Sequence, residues 1–364
     1  MSLARISAAG TSIWLDDLSR ERMVKGGNAT YLPELIMNHH VVGVTTNPAI
    51  FSAAISGSAL YNDEIKSLAA QGMSAEEIII ELTTADVRSA CDLFMPIFER
   101  SGGVDGRVSI EVDPRLALDT SGTISQAREL WRKVDRPNLL IKVPATLEGI
   151  PAVRTLISEG ISVNVTIIFS VARYEAVLDA FIAGLEDRAE KNLPVTGIHS
   201  VASFFVSRVD TEIDARLKDG ANGSLRGRAA LANARLAYRS FAETVASTRW
   251  LALADKGASI QRPLWASTGV KDPAYDPTMY VVDLVAPQTV NTMPEATLNA
   301  VKSSNRFEGD TITGKYEESQ AVISELAHHG IGIDEVAEKL EREGIEKFIK
   351  PWLELIAAVE GKRQ

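Results

Sequence analysis

The chain has 364 residues, of which 45% are hydrophobic and 24% charged, so it can bury an ordinary core and is not compositionally disordered. Its formal net charge of -10 argues against general nucleic-acid binding, which needs a basic stripe. The single cysteine, Cys91, excludes an internal disulfide, and the first residues contain no apolar run long enough for a signal peptide or membrane span. These features predict a cytoplasmic protein that contacts neither nucleic acid nor membrane.

Short apolar segments alternate with longer amphipathic ones, and this alternation of predicted strands and helices is typical of a parallel sheet or barrel. Their apolar residues are often consecutive, as expected for strands that are buried on both faces. The eight predicted strands, in chain order, are SIWLDD (12–17), VGVTTN (42–47), RVSIEVD (107–113), NLLIKVPA (138–145), SVNVTIIF (162–169), GIHSVASFFV (197–206), PLWASTGV (263–270) and YVVDLV (280–285).

Amphipathic helices are predicted in the longer gaps. Residues 171–189 repeat apolar side chains at helical spacing opposite a charged face. Residues 211–250 are rich in alanine and arginine, and they predict two helices between the sixth and seventh strands. The tail, residues 333–360, predicts a pair of amphipathic helices interrupted by Gly344 and Pro351.

Eight strands separated by helix-bearing gaps predict an α/β fold: a (β/α)8 TIM barrel with extra helices, including a helical C-terminal segment. Without an internal repeat, a low-complexity linker or a break in composition, one domain over residues 1–364 is the simplest organisation. The main alternative is an open doubly wound sheet, which usually shows a glycine-rich turn after its first strand when it binds a nucleotide. Here the first strand continues as DDLSRERM, without glycine.

A lysine interrupts the fourth predicted strand. Lys142 stands in LLIKVPA between Ile141 and Val143, where a cation is costly to bury. It could be paired with a buried carboxylate. Alternatively it is a neutral amine, because burial disfavours the charged form, and a neutral amine is a usable nucleophile. The sequence favours the nucleophile and leaves the ion pair open.

Other polar side chains stand near the C-terminal ends of predicted strands, the end that carries the active site in a barrel. Each one alone could be a counter-ion, a turn former or a hydrogen-bonded core residue. Independent core residues, however, should not place carboxylates, amides and a hydroxyl at matching depths of successive strands. The set comprises Asp16, Asn47, Glu111, Asp113, Asn164 and Thr166.

A second polar group stands at the ends of the sixth and seventh strands. Ser203 and Arg208 belong to SFFVSR, and Ser267 and Lys271 belong to WASTGVK. Late loops of barrels often hold a phosphate, which arginine binds with a planar fork of donors and lysine with a point charge. A solvated loop charge is the alternative for each cation taken singly.

Nothing in the sequence indicates a metal or another cofactor. It contains no CxxC, HExxH or P-loop motif. The two adjacent histidine pairs, His39–His40 and His328–His329, lack the i, i+4 spacing that puts two ligands on one helix face. We therefore expect no cofactor.

The segments GVTTNPAIF, VSIEVDPRLA, LLIKVPAT, VNVTIIFS and SFFVSRVD resemble the transaldolase family, in order and in spacing, from about residue 12 to the end. The length is similar to that of the longer bacterial members of this branch of the class I Schiff-base aldolases. The resemblance implies a transferase of the non-oxidative pentose phosphate pathway that is a monomer or homodimer. It would move a dihydroxyacetone unit from sedoheptulose 7-phosphate to glyceraldehyde 3-phosphate, giving erythrose 4-phosphate and fructose 6-phosphate.

The resemblance also implies roles for individual residues. Lys142 would form the Schiff base, and Glu111 and Thr166 would hold the water used in proton transfer. Asp16 would take the proton of the C4 hydroxyl, since strand alternation turns the adjacent Asp17 toward the helices. The implied substrate contacts are Asn47 and Asn164 for hydroxyls, and Ser203, Arg208, Ser267 and Lys271 for phosphate. Lys271 departs from relatives, which often have arginine there.

Two other functions stay open. A free fructose 6-phosphate aldolase could use the same scaffold, but such relatives tend to have glutamine at the position of Glu111 and tyrosine at that of Phe205. A non-catalytic binding barrel would pair Lys142 with a carboxylate and would need neither Asn164 nor Thr166. A stripe on the predicted tail, comprising Phe348, Ile349, Trp352 and Leu355, is interpreted as core, with a lid over the barrel mouth as the alternative.

Overall fold

The computed structural model describes residues 2–217 and 223–363. Its eight strands form one closed parallel barrel in chain order, and the last strand pairs with the first. The strands are β1 (Thr11–Leu15), β2 (Val41–Val44), β3 (Arg107–Glu111), β4 (Leu139–Pro144), β5 (Val163–Ile168), β6 (Ser200–Phe205), β7 (Arg262–Ala266) and β8 (Thr289–Met293). The predicted fold class, a (β/α)8 barrel with extra helices and a helical C-terminal segment, is confirmed.

Helices surround the barrel and extend beyond it. They are α1 (Ser2–Ala8), α2 (Arg20–Met23), α3 (Leu32–His39), α4 (Pro48–Gly57), α5 (Asn62–Ala70), α6 (Ala75–Arg100), α7 (Thr120–Val134), α8 (Gly149–Ser158), α9 (Val171–Glu190), α10 (Ser207–Arg216), α11 (Ala229–Val245), α12 (Thr248–Ala254), α13 (Met279–Val282), α14 (Glu295–Ser304), α15 (Tyr316–His328) and α16 (Ile333–Lys362). Within the part of the chain that the structure describes, none of them combines the length and the hydropathy needed to cross a membrane.

Short polar side chains determine where several helices begin. Ser74 caps α6 by accepting a hydrogen bond from the amide of Glu77, whose carboxylate accepts one from the amide of Ser74 in return. Ser170 caps α9 in the same way through the amide of Arg173. The Ser170 cap coincides with the start that the apolar spacing predicted for this helix, residue 171.

The pairing of the central strands brings polar side chains together. The register aligns Glu111 of β3 with Lys142 of β4, and Lys142 with Asn164 of β5. Every residue of β4 and β5 is buried, as the consecutive apolar runs of their sequences predict. Three polar side chains therefore lie side by side on adjacent strands of the barrel.

The eighth strand was predicted in the wrong place. Residues 280–285 form most of the short helix α13 and the turn after it, and the strand is Thr289–Met293. A short apolar run fits a buried helix as well as a buried strand, so periodicity could not separate them. The true strand, TVNTM, is rich in polar residues, some of which form hydrogen bonds inside the protein: Nδ2 of Asn291, for example, donates to the carbonyl of Tyr280.

Two helix predictions also need correction. The tail forms one continuous helix, α16, with Pro351 inside it, rather than a pair. Packing of its apolar face against the barrel outweighs the local cost of glycine and proline. Residues 211–250 hold the end of α10, the whole of α11 and the beginning of α12, so they contribute to three helices rather than two. Residues 218–222 of that stretch lie outside the described chain.

Candidate active site

A lysine and a glutamate face each other inside the barrel at the C-terminal half of β3 and β4. Nζ of Lys142 lies 3.3 Å from Oε2 of Glu111, and the two side chains are only 5% and 4% exposed. Nζ also donates a hydrogen bond to the carbonyl of Thr46 at 3.1 Å. The main electrostatic partner of the buried amine is thus a carboxylate in the same enclosed space.

The carboxyl of Glu111 is suited to exchanging a proton. Burial raises its pKa above the usual value, the positive charge of Lys142 opposes this shift, and the carboxylate of Asp16 adds to it. Oγ1 of Thr166 is buried and has no hydrogen-bond partner among the described residues, and Oε2 of Glu111 is buried with only its ion pair to Lys142 in the described chain. Such atoms are rare in native structures, and both could bind a substrate group or a reacting water.

β5 has an irregular backbone next to Thr166. Ile167 has a φ of +56°, a left-handed conformation that is costly for a β-branched residue. The pairing between β5 and β6 shifts its register between Val165 and Ile168. Backbone strain of this kind persists where the surroundings enforce it, and it clusters at functional sites. Here it lies directly after the residue with the unpaired hydroxyl.

Asp16 enters the site from the end of β1. Its carboxylate accepts a hydrogen bond of 2.7 Å from Oγ1 of Thr45. Burial raises the pKa of Asp16, while the charge of Lys142 and the bond from Thr45 act in the opposite direction. The neighbouring Asp17 points outward and pairs with Arg22. The structure thus separates the two adjacent carboxylates, with Asp16 close enough to Lys142 for their charges to interact.

Asn164 and Ser203 form a polar layer across the barrel interior. Nδ2 of Asn164 donates to Oγ of Ser109 at 3.0 Å, and Oγ of Ser203 donates to Oδ1 of Asn164 at 2.7 Å. All three residues are almost completely buried. Ser203 therefore lies within β6, inside the predicted sixth strand, and its hydroxyl bonds to Asn164.

Asn47 and Asp113 lie at the ends of the loops beside Glu111. Oδ1 of Asn47 accepts from the amide of Ile50 and caps α4, so the residue does form the turn that its sequence context also allowed. Asp113 forms an ion pair with Arg115 and caps a short turn, and it is not brought to Lys142. β3 ends at Glu111. The alternation of strand side chains, which would have placed Glu111 and Asp113 on one face, therefore does not extend to Asp113.

Arg208 and Ser267 come together at the start of α10. Arg208 is the second residue of α10, and its guanidinium carbon lies 5.4 Å from the ring centre of Phe205. Nη1 of Arg208 is buried without a hydrogen-bond partner in the described chain, and burial lowers the pKa of this residue. Oγ of Ser267 lies 2.9 Å from Oγ of Ser207, which is the first residue of α10. An unpaired guanidinium group and two hydroxyls at a helix N-terminus can bind an anion.

Lys271 is placed differently from the other candidates. It is exposed, and its Nζ lies 3.9 Å from the position that a Cβ on Gly269 would take. It borders a cleft that is also lined by Asp210, Asp214 and Tyr275.

The C-terminal helix supplies residues that the sequence did not identify as part of a site. The ring centre of Phe348 lies 5.7 Å from Nζ of Lys142. One turn earlier, Gly344 passes close to β5, since a Cβ there would lie 3.6 Å from Ile167. One turn later, Trp352 lines a small cavity together with Glu111. The apolar stripe of the C-terminal helix, which was interpreted as core, thus includes a ring that lies over the amine of Lys142. The helical spacing of the stripe alone could not show that it faces this residue.

Comparison with known proteins gives a consistent set of relatives. A profile of the family described as Transaldolase/Fructose-6-phosphate aldolase matches residues 13–359. A protein named Transaldolase from Acidothermus cellulolyticus is 57% identical over 359 residues, which cover 98% of this chain and 95% of the relative. Another from Mycolicibacterium smegmatis is 56% identical over 364 residues, covering 99% and 97%. A third, from Thermobifida fusca, is 53% identical over 360 residues, covering 98% and 97%.

Proposed function

This chain belongs to the transaldolase/fructose-6-phosphate aldolase family and is a transaldolase, and from that premise we propose that Lys142 forms the Schiff base of the reaction. The observation that carries this assignment is the position of the amine, buried in the barrel 3.3 Å from Glu111. A carboxyl with a raised pKa beside the nucleophile can take up and return its protons.

The first half of the reaction binds the ketose and cleaves it. Nζ of Lys142 attacks the C2 carbonyl, and the oxygen leaves as water once it has been protonated from the Glu111–Thr166 pair. The resulting iminium is an electron sink. Asp16 then takes the proton of the C4 hydroxyl, the C3–C4 bond breaks, and its electron pair forms an enamine on the retained three-carbon unit. The shortened aldose phosphate leaves.

The second half reverses these steps with a different aldehyde. The enamine carbon attacks the acceptor carbonyl, Asp16 returns its proton to the new hydroxyl, and water releases the product from Lys142. The donor is sedoheptulose 7-phosphate or fructose 6-phosphate, and the acceptor is glyceraldehyde 3-phosphate or erythrose 4-phosphate. These substrates belong to the non-oxidative pentose phosphate pathway. A cytoplasmic location suits the free, buried thiol of Cys91.

The remaining site residues hold the substrate. Asn47 and Asn164 bind sugar hydroxyls on either side of Lys142. The phosphate binds at the start of α10, where Nη1 of Arg208 is buried and unpaired among the described residues. Ser267 adds a hydroxyl there, and Ser203 and Lys271 contribute once their side chains turn from their present positions. Charge-assisted bonds from arginine suit a phosphate because the guanidinium group presents several donors in one plane.

Borohydride trapping tests the proposal. With fructose 6-phosphate present, we expect reduction to leave a three-carbon adduct on Lys142, detected by intact mass and peptide mapping. Erythrose 4-phosphate added before the borohydride should discharge the adduct, because a transferase passes the unit on. Lys142→Ala is the control and should stay unmodified. An adduct on another lysine, or none under conditions that trap a Schiff-base aldolase, would overturn the assignment.

Phe348 is expected to protect the enamine from water. Phe348→Ala opens a gap over Lys142, so the fraction of three-carbon units released as free dihydroxyacetone should rise several-fold relative to transfer. The measurement is the ratio of dihydroxyacetone to transfer product at a fixed acceptor concentration. Phe348→Leu, which keeps an apolar cover, serves as the matched control and should change the ratio much less. Equal ratios in both variants and in the parent enzyme would exclude this role.

A further inference from the structure

A second cavity lies at the N-terminal end of the barrel, on the side opposite the active site. Its volume is about 570 Å³. Its polar wall comes from the first residues of strands and the turns before them, namely Ser12, Asp105, Arg107, His199 and Arg262. None of the residues assigned to the transaldolase reaction lines it.

The charges in this wall are not balanced. Arg262 forms an ion pair with Asp105 at 3.0 Å and donates to Oγ of Ser12 at 2.9 Å. Arg107 is 1% exposed and has no carboxylate within ion-pair distance in the described chain. Two guanidinium groups therefore share one carboxylate, although buried cations are usually paired.

Part of Arg107 is also unsatisfied. Its Nε donates to the carbonyl of Gly103 at 2.7 Å and its Nη1 to that of Pro137 at 3.4 Å. Its Nη2 is buried and has no partner among the described residues. The guanidinium carbon also lies 5.1 Å from the ring centre of Phe98. Nη2 is left able to donate to a ligand with acceptor oxygens, since buried donors in native proteins usually have an acceptor.

Arg107 and His199 converge on one small space. Nη2 of Arg107 and Nε2 of His199 lie 3.4 Å and 3.2 Å from the point where a Cβ on Gly103 would stand. Gly103 has a φ of +85°, a conformation that glycine adopts without strain, and a Cβ there would be crowded by both groups and by the ring of Phe98 at 3.4 Å.

The titration behaviour of the cavity agrees with an excess of positive charge. Burial, and after it the charge of Arg262, lowers the pKa of Arg107 to about 9. Burial, followed by the charges of Arg107 and Arg262, lowers the pKa of His199 to about 3. An anion beside these groups would offset both the desolvation and the mutual repulsion.

We propose that this cavity binds a small molecule through a phosphate group, which accepts hydrogen bonds from His199 and Arg107 and interacts with Arg262. A tetrahedral phosphate fits donors that approach from different directions, whereas a planar carboxylate is best matched by a single fork. Arg262 offers no free fork, because its Nη2 donates to Asp105 and its Nη1 to Ser12. The rest of the ligand would lie against the apolar wall formed by Leu140, Val201, Val245 and Trp250. This is a second site, and it does not depend on how the sugar phosphates bind at Lys142.

The side-chain NMR signals of His199 report on this cavity directly. The experiment uses the full chain with Arg208→Ala, which weakens phosphate binding at the active site. The His199 signals are assigned by comparison with His199→Asn. Inorganic phosphate should shift them along a saturable curve, whereas chloride at matched ionic strength should not, and acetate should bind more weakly. Absence of a saturable shift with phosphate would overturn the proposal without affecting the Schiff-base assignment.

Two variants show which groups make the site. Arg107→Met removes the unpaired donor and one positive charge, and it should weaken phosphate binding roughly tenfold or more. Gly103→Ala fills the space between Arg107 and His199 and should have a similar effect. Circular dichroism and thermal unfolding establish whether each variant folds. Unchanged phosphate affinity in a folded Arg107→Met or Gly103→Ala chain would contradict the proposed geometry. If neither variant folds, the phosphate titration of the Arg208→Ala chain by NMR decides whether the site exists.

Discussion

Replacing Lys142 by methionine is expected to lower kcat/KM for transfer by about four orders of magnitude or more. Methionine keeps the apolar stem but has no amine, so neither the iminium nor the enamine can form. Losses of this size are typical when the nucleophile of a covalent mechanism is removed. The measurement is a coupled assay of fructose 6-phosphate with erythrose 4-phosphate, at enzyme concentrations high enough to detect the residual rate.

A matched control separates this loss from a general effect of removing a lysine. Lys256 is exposed on the turn after α12, and Lys256→Met should leave kcat/KM unchanged. The fold should persist in Lys142→Met, because the charge of Lys142 lowers the pKa of Glu111 and its removal lets that carboxyl become neutral more easily. Substantial transfer by folded Lys142→Met would exclude the Schiff base at this residue.

Glu111→Gln is expected to lower kcat by about 10²- to 10⁴-fold, the usual contribution of a positioned acid or base. Glutamine keeps the shape of the side chain but cannot carry a proton between the amine and the leaving water. The KM for the ketose should change much less, because Glu111 contacts Lys142 rather than the phosphate end of the site. Steady-state kinetics with fructose 6-phosphate and erythrose 4-phosphate measure both constants.

The same variant should change the pH dependence. Burial raises the pKa of Glu111, so the ionised form is lost as the pH falls through a value above that of an ordinary carboxyl. If the ionised form is the base, kcat of the parent enzyme declines on the acid side from that value, and this part of the profile should weaken in Glu111→Gln. Asp113→Asn is the control, because Asp113 is paired with Arg115 away from the amine. A Glu111→Gln enzyme with nearly full kcat and an unchanged profile would assign proton transfer to another group.

The sequence by itself determined the fold class and most of the barrel strands. Runs such as LLIKVPA and SVNVTIIF are short and mostly apolar, a pattern that is typical of strands buried on both faces although a buried helix can share it. The sequence also predicted a functional role for Lys142, because an isolated cation in an apolar run has few structural explanations. Glu111 and Asn164 could be grouped with Lys142 from their depth in neighbouring strands, which parallel pairing then aligned.

Other features depended on contacts between distant parts of the chain, which local patterns do not encode. The apolar run at 280–285 became helical because tertiary packing, rather than propensity, chooses between a buried helix and a buried strand. Gly344 and Pro351 stay inside one helix because α16 packs along the barrel mouth, and only that packing shows that Phe348 covers Lys142. The charge imbalance around Arg107 is likewise invisible in the sequence, since Arg262 and Asp105 come from separate segments and meet only when the barrel closes. The spacing of residues predicts each strand or helix separately. A site forms only when closure of the barrel brings those elements together.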